Sequence, residues 1–234
     1  MNPRQETVLK LIVDEYVRSA EPVGSRFLSQ MSELQVSPAT IRNDMVALEC
    51  EGYIAQPHTS AGRVPTEKAY IYYLQNFTSD QSRPTHAKQM YQALEGAEAD
   101  QDIVKTLAKT LVELSGEMVV AAFDPRSSYF TGVSNLFAKP DFHNLAMIQS
   151  LSALVDRFDE VMGEMFDQIH SDPQVMIGSA NPFGSDMSSI MVKYTLPSGH
   201  TGLLGLVGPM RMDYSKNIHL LERAKEILDE YEEG

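Results

Sequence analysis

The chain has 234 residues, 43% hydrophobic and 22% charged, with nineteen Lys and Arg against thirty-two Asp and Glu for a formal net charge of −13. That is enough apolar residue to build one large domain or two small ones, and the acidity excludes a polybasic protein that coats nucleic acid through bulk charge. A single cysteine, Cys50, excludes a disulfide scaffold and a Cys-rich zinc module.

Asn2 and Pro3 supply a helix cap and a first-turn proline, and Val8, Leu9, Ile12, Val13, Tyr16 and Val17 then recur at helical spacing. Pro22 and Gly24 break the chain, and Ser25 is expected to cap a short helix carrying Phe27, Leu28 and Met31. A turn runs from Ser32 to Val36. The next helix start is the plainest in the sequence, with Ser37 as cap and Pro38 at the first helical position.

At about 100° per residue, this third helix gathers Ile41, Met45 and Leu48 on one side as a core-facing stripe. The other side carries Ala39, Arg42, Asn43 and Val46. Arg suits a bidentate contact with guanine and Asn one with adenine, while Ala and Val can touch a thymine methyl. An Arg–Asn pair by itself also fits an ordinary solvated face. Two preceding helices and a tight turn give it the layout of a helix-turn-helix, in which such a face reads a DNA groove.

Gly52 ends that helix. Tyr53 to Gln56 has strand character, Val64 begins a return strand, and between them lies the small polar tip Pro57-His-Thr-Ser-Ala-Gly-Arg63. A helix-turn-helix followed by a two-stranded hairpin predicts a winged helix, whose wing can set an Arg in a minor groove or on phosphates. Thr66 is expected to cap a fourth helix with Tyr70, Tyr73, Leu74 and Phe77, tyrosines better read as packing than as base-stacking platforms.

The polar run from Thr78 to Thr85 contains Pro84 and reads as a linker, so the chain is expected to divide into residues 1–78, a linker at 79–86, and 87–234. Charge follows the same division: residues 1–80 carry seven basic and ten acidic side chains, and residues 81–234 carry twelve and twenty-two. Beyond the linker, a short helix is expected between Thr85 and Glu95 and a stronger one from Asp102 to Ser115, stopped by Gly116. Strands follow at Met118 to Phe123 and Tyr129 to Val133, around a turn at Asp124-Pro-Arg126. A long amphipathic helix is predicted from Phe142 to His170, with an apolar stripe through Leu145, Ile148, Leu151, Val155, Phe158, Met162, Met165 and Ile169. Strands at Gln174 to Ile177, Ser189 to Leu196 and Thr201 to Val207, the last two joined through Pro197 to His200, precede a terminal helix from Arg211. Mixed helices with antiparallel hairpins predict an α+β fold.

Catalytic chemistry has no motif here. The six histidines are scattered, without H-E-x-x-H or a metal-ligand cluster, and neither a G-x-S-x-G nor a phosphate-cradling loop is present. We expect no enzyme, no cofactor and no metal. The longest apolar runs fall short of a bilayer span and the N-terminus lacks the layout of a signal peptide, so a cytoplasmic protein without a membrane partner is expected.

Four runs are specific enough to carry a family resemblance: Glu21-Pro-Val-Gly-Ser-Arg26, Val36-Ser-Pro-Ala-Thr-Ile-Arg-Asn-Asp-Met45, Leu48 to Tyr53, and Gln56-Pro-His-Thr-Ser-Ala-Gly-Arg-Val-Pro-Thr66. Together they resemble the DNA-binding domain of the HrcA family, the heat-inducible transcription repressors of bacteria. The second part resembles the same family in Gly132 to Leu136, Ile177 to Phe183 and, most distinctively, Gly205-Leu-Val-Gly-Pro-Met-Arg-Met-Asp-Tyr214. The resemblance implies a winged helix followed by a GAF-like regulatory and dimerisation domain. It further implies a dimer on an inverted-repeat operator upstream of chaperone operons, with the GroE chaperonin as modulator of the active repressor. The implied DNA-binding residues are Ser25 and Arg26, then Ser37, Thr40, Arg42 and Asn43 on the helix, and His58, Thr59, Ser60 and Arg63 on the wing. The chain is shorter than the usual member between the linker and Ile177, so the family's inserted dimerisation segment is expected to be reduced. The competing reading is a metabolite-sensing regulator whose GAF-like part binds a small ligand.

Overall fold

The structure is a computed structural model that describes residues 1–77, 86–96, 99–142, 154 and 156–231. The chain folds into two compact units, Met1–Ser79 and Asp80–Gly234. Residues 79–85 of the expected linker lie outside the described residues.

The first unit opens with α1 (Pro3–Ser19), whose start is fixed by a reciprocal cap: the Asn2 side chain accepts from the Gln5 amide at 3.0 Å, and the Gln5 side chain accepts from the Asn2 amide at 2.9 Å. The short α2 (Ser25–Leu28) follows, then α3 (Pro38–Cys50), the two-stranded hairpin β1 (Ile54–Ala55) and β2 (Val64–Pro65), and α4 (Glu67–Phe77). Val8, Leu9, Ile12 and Val13 of α1 are buried along with Leu28, Ile41, Leu48, Ile54 and Tyr70, so each element contributes its apolar stripe to one small core. One cap differs from expectation. Gly24, in extended backbone, is the cap of α2, and Ser25 is its first helical residue with its side chain buried.

The second unit is α+β. Helices α5 (Ala87–Ala93) and α6 (Asp100–Ser115) precede a five-stranded sheet made of β3 (Met118–Asp124), β4 (Ser127–Thr131), β5 (Gln174–Ile177), β6 (Met187–Thr195) and β7 (Thr201–Pro209). The strand order is β4-β3-β7-β6-β5 and every neighbouring pair is antiparallel. Side chains alternate across the sheet. Met118, Val120, Ala122, Met187, Met191, Leu203 and Val207 join a core with Leu136 of α7 (Val133–Ala138) and Phe158, Val161, Met162 and Met165 of α8 (Phe158–Phe166). The alternate residues Val119, Ala121, Ile190, Val192, Leu204 and Leu206 are fully buried as well, on the face where α6 and the terminal helix α9 (Tyr214–Asp229) pack.

The helix expected from Phe142 to His170 takes a different form at its ends. Phe142 closes a one-turn 3-10 segment (Pro140–Phe142), and α8 stops at Phe166. Leu145, Ile148, Leu151 and Val155 of the expected stripe lie outside the described residues.

A buried charge cluster holds the end of the sheet. Glu117 is almost fully buried and ion-paired with Lys139, and the Arg211 guanidinium donates to Asp141 at 2.8–2.9 Å. Burial pushes the Glu117 carboxyl above its ordinary value, although Lys139, Arg211 and Lys216 pull it back down.

Candidate nucleic-acid interface

The third helix is anchored on its inner side and bare on its outer side. Ile41 and Leu48 are fully buried and Met45 nearly so. Between them Asp44 is also buried, and Arg4 of α1 grips both of its oxygens in a fork, Nε to Oδ2 at 2.7 Å and Nη2 to Oδ1 at 3.1 Å. Sequence reasoning passed over Asp44. Its signal was an acid falling on the inward side of the wheel, which demands a cation from another element.

The outer side presents Ala39, Arg42, Asn43 and Val46, all exposed, with Val46 at 46%. At the helix start the Ser37 hydroxyl caps the Thr40 amide at 3.2 Å and lies 3.0 Å from the Thr40 hydroxyl, so both are engaged with each other.

Alongside lies a groove of about 520 Å³, bounded by Ser25 and Arg26 of α2, Arg42 and Val46 of α3, and Gln56, Ser60 and Arg63 of the hairpin. Of the ten residues implied by resemblance, the groove brings together Ser25, Arg26, Arg42, Ser60 and Arg63. Ser37, the cap of α3, and Thr40 and Asn43 on it lie outside its lining, and His58 and Thr59 are exposed at the hairpin tip. Ser60 takes the left-handed conformation at φ 72°, and the Ala61 amide closes a turn on the His58 carbonyl at 3.0 Å.

The hairpin is tied down rather than free. Val23 and Arg63 exchange two backbone hydrogen bonds of 2.9 Å, an isolated antiparallel bridge that ties the segment just ahead of α2 to the hairpin. Gly62 makes this approach possible: a Cβ there would stand 2.5 Å from the Val23 carbonyl group and 2.6 Å from the Pro22 oxygen. The Arg63 side chain does not project into solvent. Its Nε and Nη2 donate to Glu49 of α3 at 3.1 and 2.8 Å, and it is only 16% exposed.

A census of cations in residues 1–77 separates two from the rest. Arg4 is spent on Asp44, Lys10 on Asp14, Arg18 on Glu15 and Arg63 on Glu49. Lys68 donates to the Glu51 carbonyl at 2.8 Å and lies 4.2 Å above the Tyr53 ring. Arg26 and Arg42 have no ion-pair partner among the described residues, and both open onto the same groove. Among the described residues no three His, Cys, Asp or Glu side chains are grouped to hold a metal.

The family model described as "HrcA protein C terminal domain" matches residues 39–218, well over half of the sequence. The chain belongs to the HrcA family. The heat-inducible transcription repressor HrcA of Halalkalibacterium halodurans is 24% identical in an alignment covering 95% of each chain. That alignment runs over 326 positions, so the longer HrcA relative carries extra residues as insertions within the shared length. The HrcA of a Nocardioides species is 35% identical over 76% of this chain and 53% of its own. That of Kineococcus radiotolerans is 45% identical over 51% of this chain and 35% of its own. The chain thus matches about half or less of the length of these last two relatives. Among solved structures, a crystal structure described only as a hypothetical protein superposes with a TM-score of 0.76 at 19% identity, covering 99% of this chain and 98% of that one, which establishes the shared fold.

Proposed function

We propose that this HrcA-family chain is a heat-inducible transcriptional repressor whose first unit is a winged helix that reads double-stranded DNA. In this reading α3 enters a major groove. Arg42 and Asn43 address base edges, Arg26 and the start of α3 at Ser37 and Thr40 hold phosphates, and His58, Thr59 and Ser60 carry the wing to the neighbouring backbone. The second unit is a GAF-like regulatory and dimerisation domain, so that two copies meet an inverted-repeat operator, and the GroE chaperonin sets the amount of active repressor in the cytoplasm.

The observation that carries the reading is the cation census. Among the described residues, two guanidinium groups of the first unit of an acidic protein have no ion-pair partner, and both border one groove beside the exposed face of a capped helix. Free Arg side chains concentrated there fit a site built for bases and phosphates of a specific duplex, not a broad electrostatic coat. Genome-wide footprinting before and after heat shock tests it. Occupancy at inverted repeats upstream of chaperone operons, lost on heating, is the expected result; no sequence-specific footprint at either temperature would refute it. Depleting the chaperonin should lower that occupancy without changing repressor level, and unaltered occupancy would remove the chaperonin from the scheme.

A further inference from the structure

We propose that Arg63 is a positioning residue and not a DNA contact: through Glu49 it holds the hairpin tip against α3, so that an acidic side chain on the reading helix is required for DNA affinity. The proposal rests on the DNA-reading role given above to α3.

Arg63 joins three pieces of the candidate face. Its backbone is bonded in both directions to Val23, just ahead of α2, at 2.9 Å. Its guanidinium spans from the hairpin to α3, with Nε and Nη2 both on one Glu49 oxygen at 3.1 and 2.8 Å. Gly62, beside it, leaves no room for a side chain against the Val23 backbone, so the tip lies in close contact with the segment ahead of α2. The remaining nitrogen, Nη1, points back toward the Gly62 carbonyl at 3.5 Å. With 16% of the side chain exposed and its charge matched by Glu49, Arg63 is turned inward, while Arg26 and Arg42 on the same groove have no ion-pair partner among the described residues. A brace of this kind fixes the distance between helix and tip, the dimension that must match a groove and the backbone beside it.

Simple electrostatics and the brace predict opposite signs. Removing a negative charge from a DNA-binding face should strengthen binding; removing the brace should weaken it. The measurement is fluorescence anisotropy of the full chain on a labelled duplex, selected from a random-sequence library by the wild-type chain, across a salt series and well below each variant's melting temperature. Glu49→Gln is expected to weaken binding about tenfold, and Glu21→Gln, which removes the same charge from an exposed site, not to weaken it. Arg63→Gln is expected to lose as much as Glu49→Gln with an unchanged salt slope, and the double variant to lose no more than either alone. Glu49→Gln binding at or above wild-type strength would overturn the proposal, as would an Arg63→Gln slope shallower by about 0.9, the signature of one lost phosphate contact. Arg42→Ala in the same series separates the two levels. If it loses affinity while Glu49→Gln does not, only the brace fails; if it also binds like wild type, the DNA-reading role fails and the brace with it.

Discussion

Single side chains on α3 divide into those that hold the helix and those it presents. The helical wheel drawn from Ile41 places Arg42, Asn43 and Val46 outward, and the burial pattern agrees at each position. Arg42→Ala should cost about 1–3 kcal/mol in affinity for the selected duplex and relax preference at one base pair, measured by competition with single-base variants. Equal loss on every sequence would make Arg42 a phosphate contact instead. Arg26→Ala should do just that, weakening binding uniformly and reducing the salt slope by about 0.9. Pairings were less legible than faces. Periodicity shows that Asp44 lies inward, but its partner Arg4 is forty positions away, and nothing local in the sequence distinguishes Arg63, paired with Glu49, from Arg42, which has no ion-pair partner among the described residues.

Elements were legible where a local rule governs them. Ser37-Pro38 marks the start of α3, the Asn2 cap marks that of α1, and the turn residues between β6 and β7 mark a hairpin. The central pairing of β3 with β7 was not, because these strands are separated by most of the second unit and only their buried faces select each other. The ends of α8 were missed for a related reason: an apolar stripe continues beyond the helix wherever a turn can also bury it, as Ile169 does after α8 ends at Phe166. At this scale Gly62 is the most crowded glycine of the first unit among the described residues. Gly62→Ala forces a methyl group onto the Val23 backbone and should destabilise the first unit by about 1–3 kcal/mol, seen as a lower melting temperature. Weaker DNA binding should persist below that temperature, because the tip is pushed off α3. Wild-type melting and affinity would show that the hairpin has freedom the geometry does not give it.

The whole molecule combines a first unit whose free cations meet at one groove with a second part that carries most of the acidity. That acidity should suppress non-specific binding, leaving discrimination to a few contacts on α3. Stability of the second unit should carry a pH signature from Glu117. Burial raises its carboxyl above the ordinary value, so its contribution is fully present below the ordinary carboxylate range and is lost as pH rises through the elevated folded value. As pH rises from the ordinary carboxylate range, the melting temperature of Glu117→Gln should therefore gain on that of the wild type, and a constant or shrinking difference would contradict this. The central claim, that the exposed side of α3 reads DNA sequence, is tested most directly by comparing wild type and Asn43→Ala on the selected duplex and on a shuffled duplex of the same composition. The account predicts that the wild type prefers the selected duplex and that Asn43→Ala loses most of that preference while keeping its melting temperature. An undiminished preference in Asn43→Ala, or none in the wild type, would contradict it.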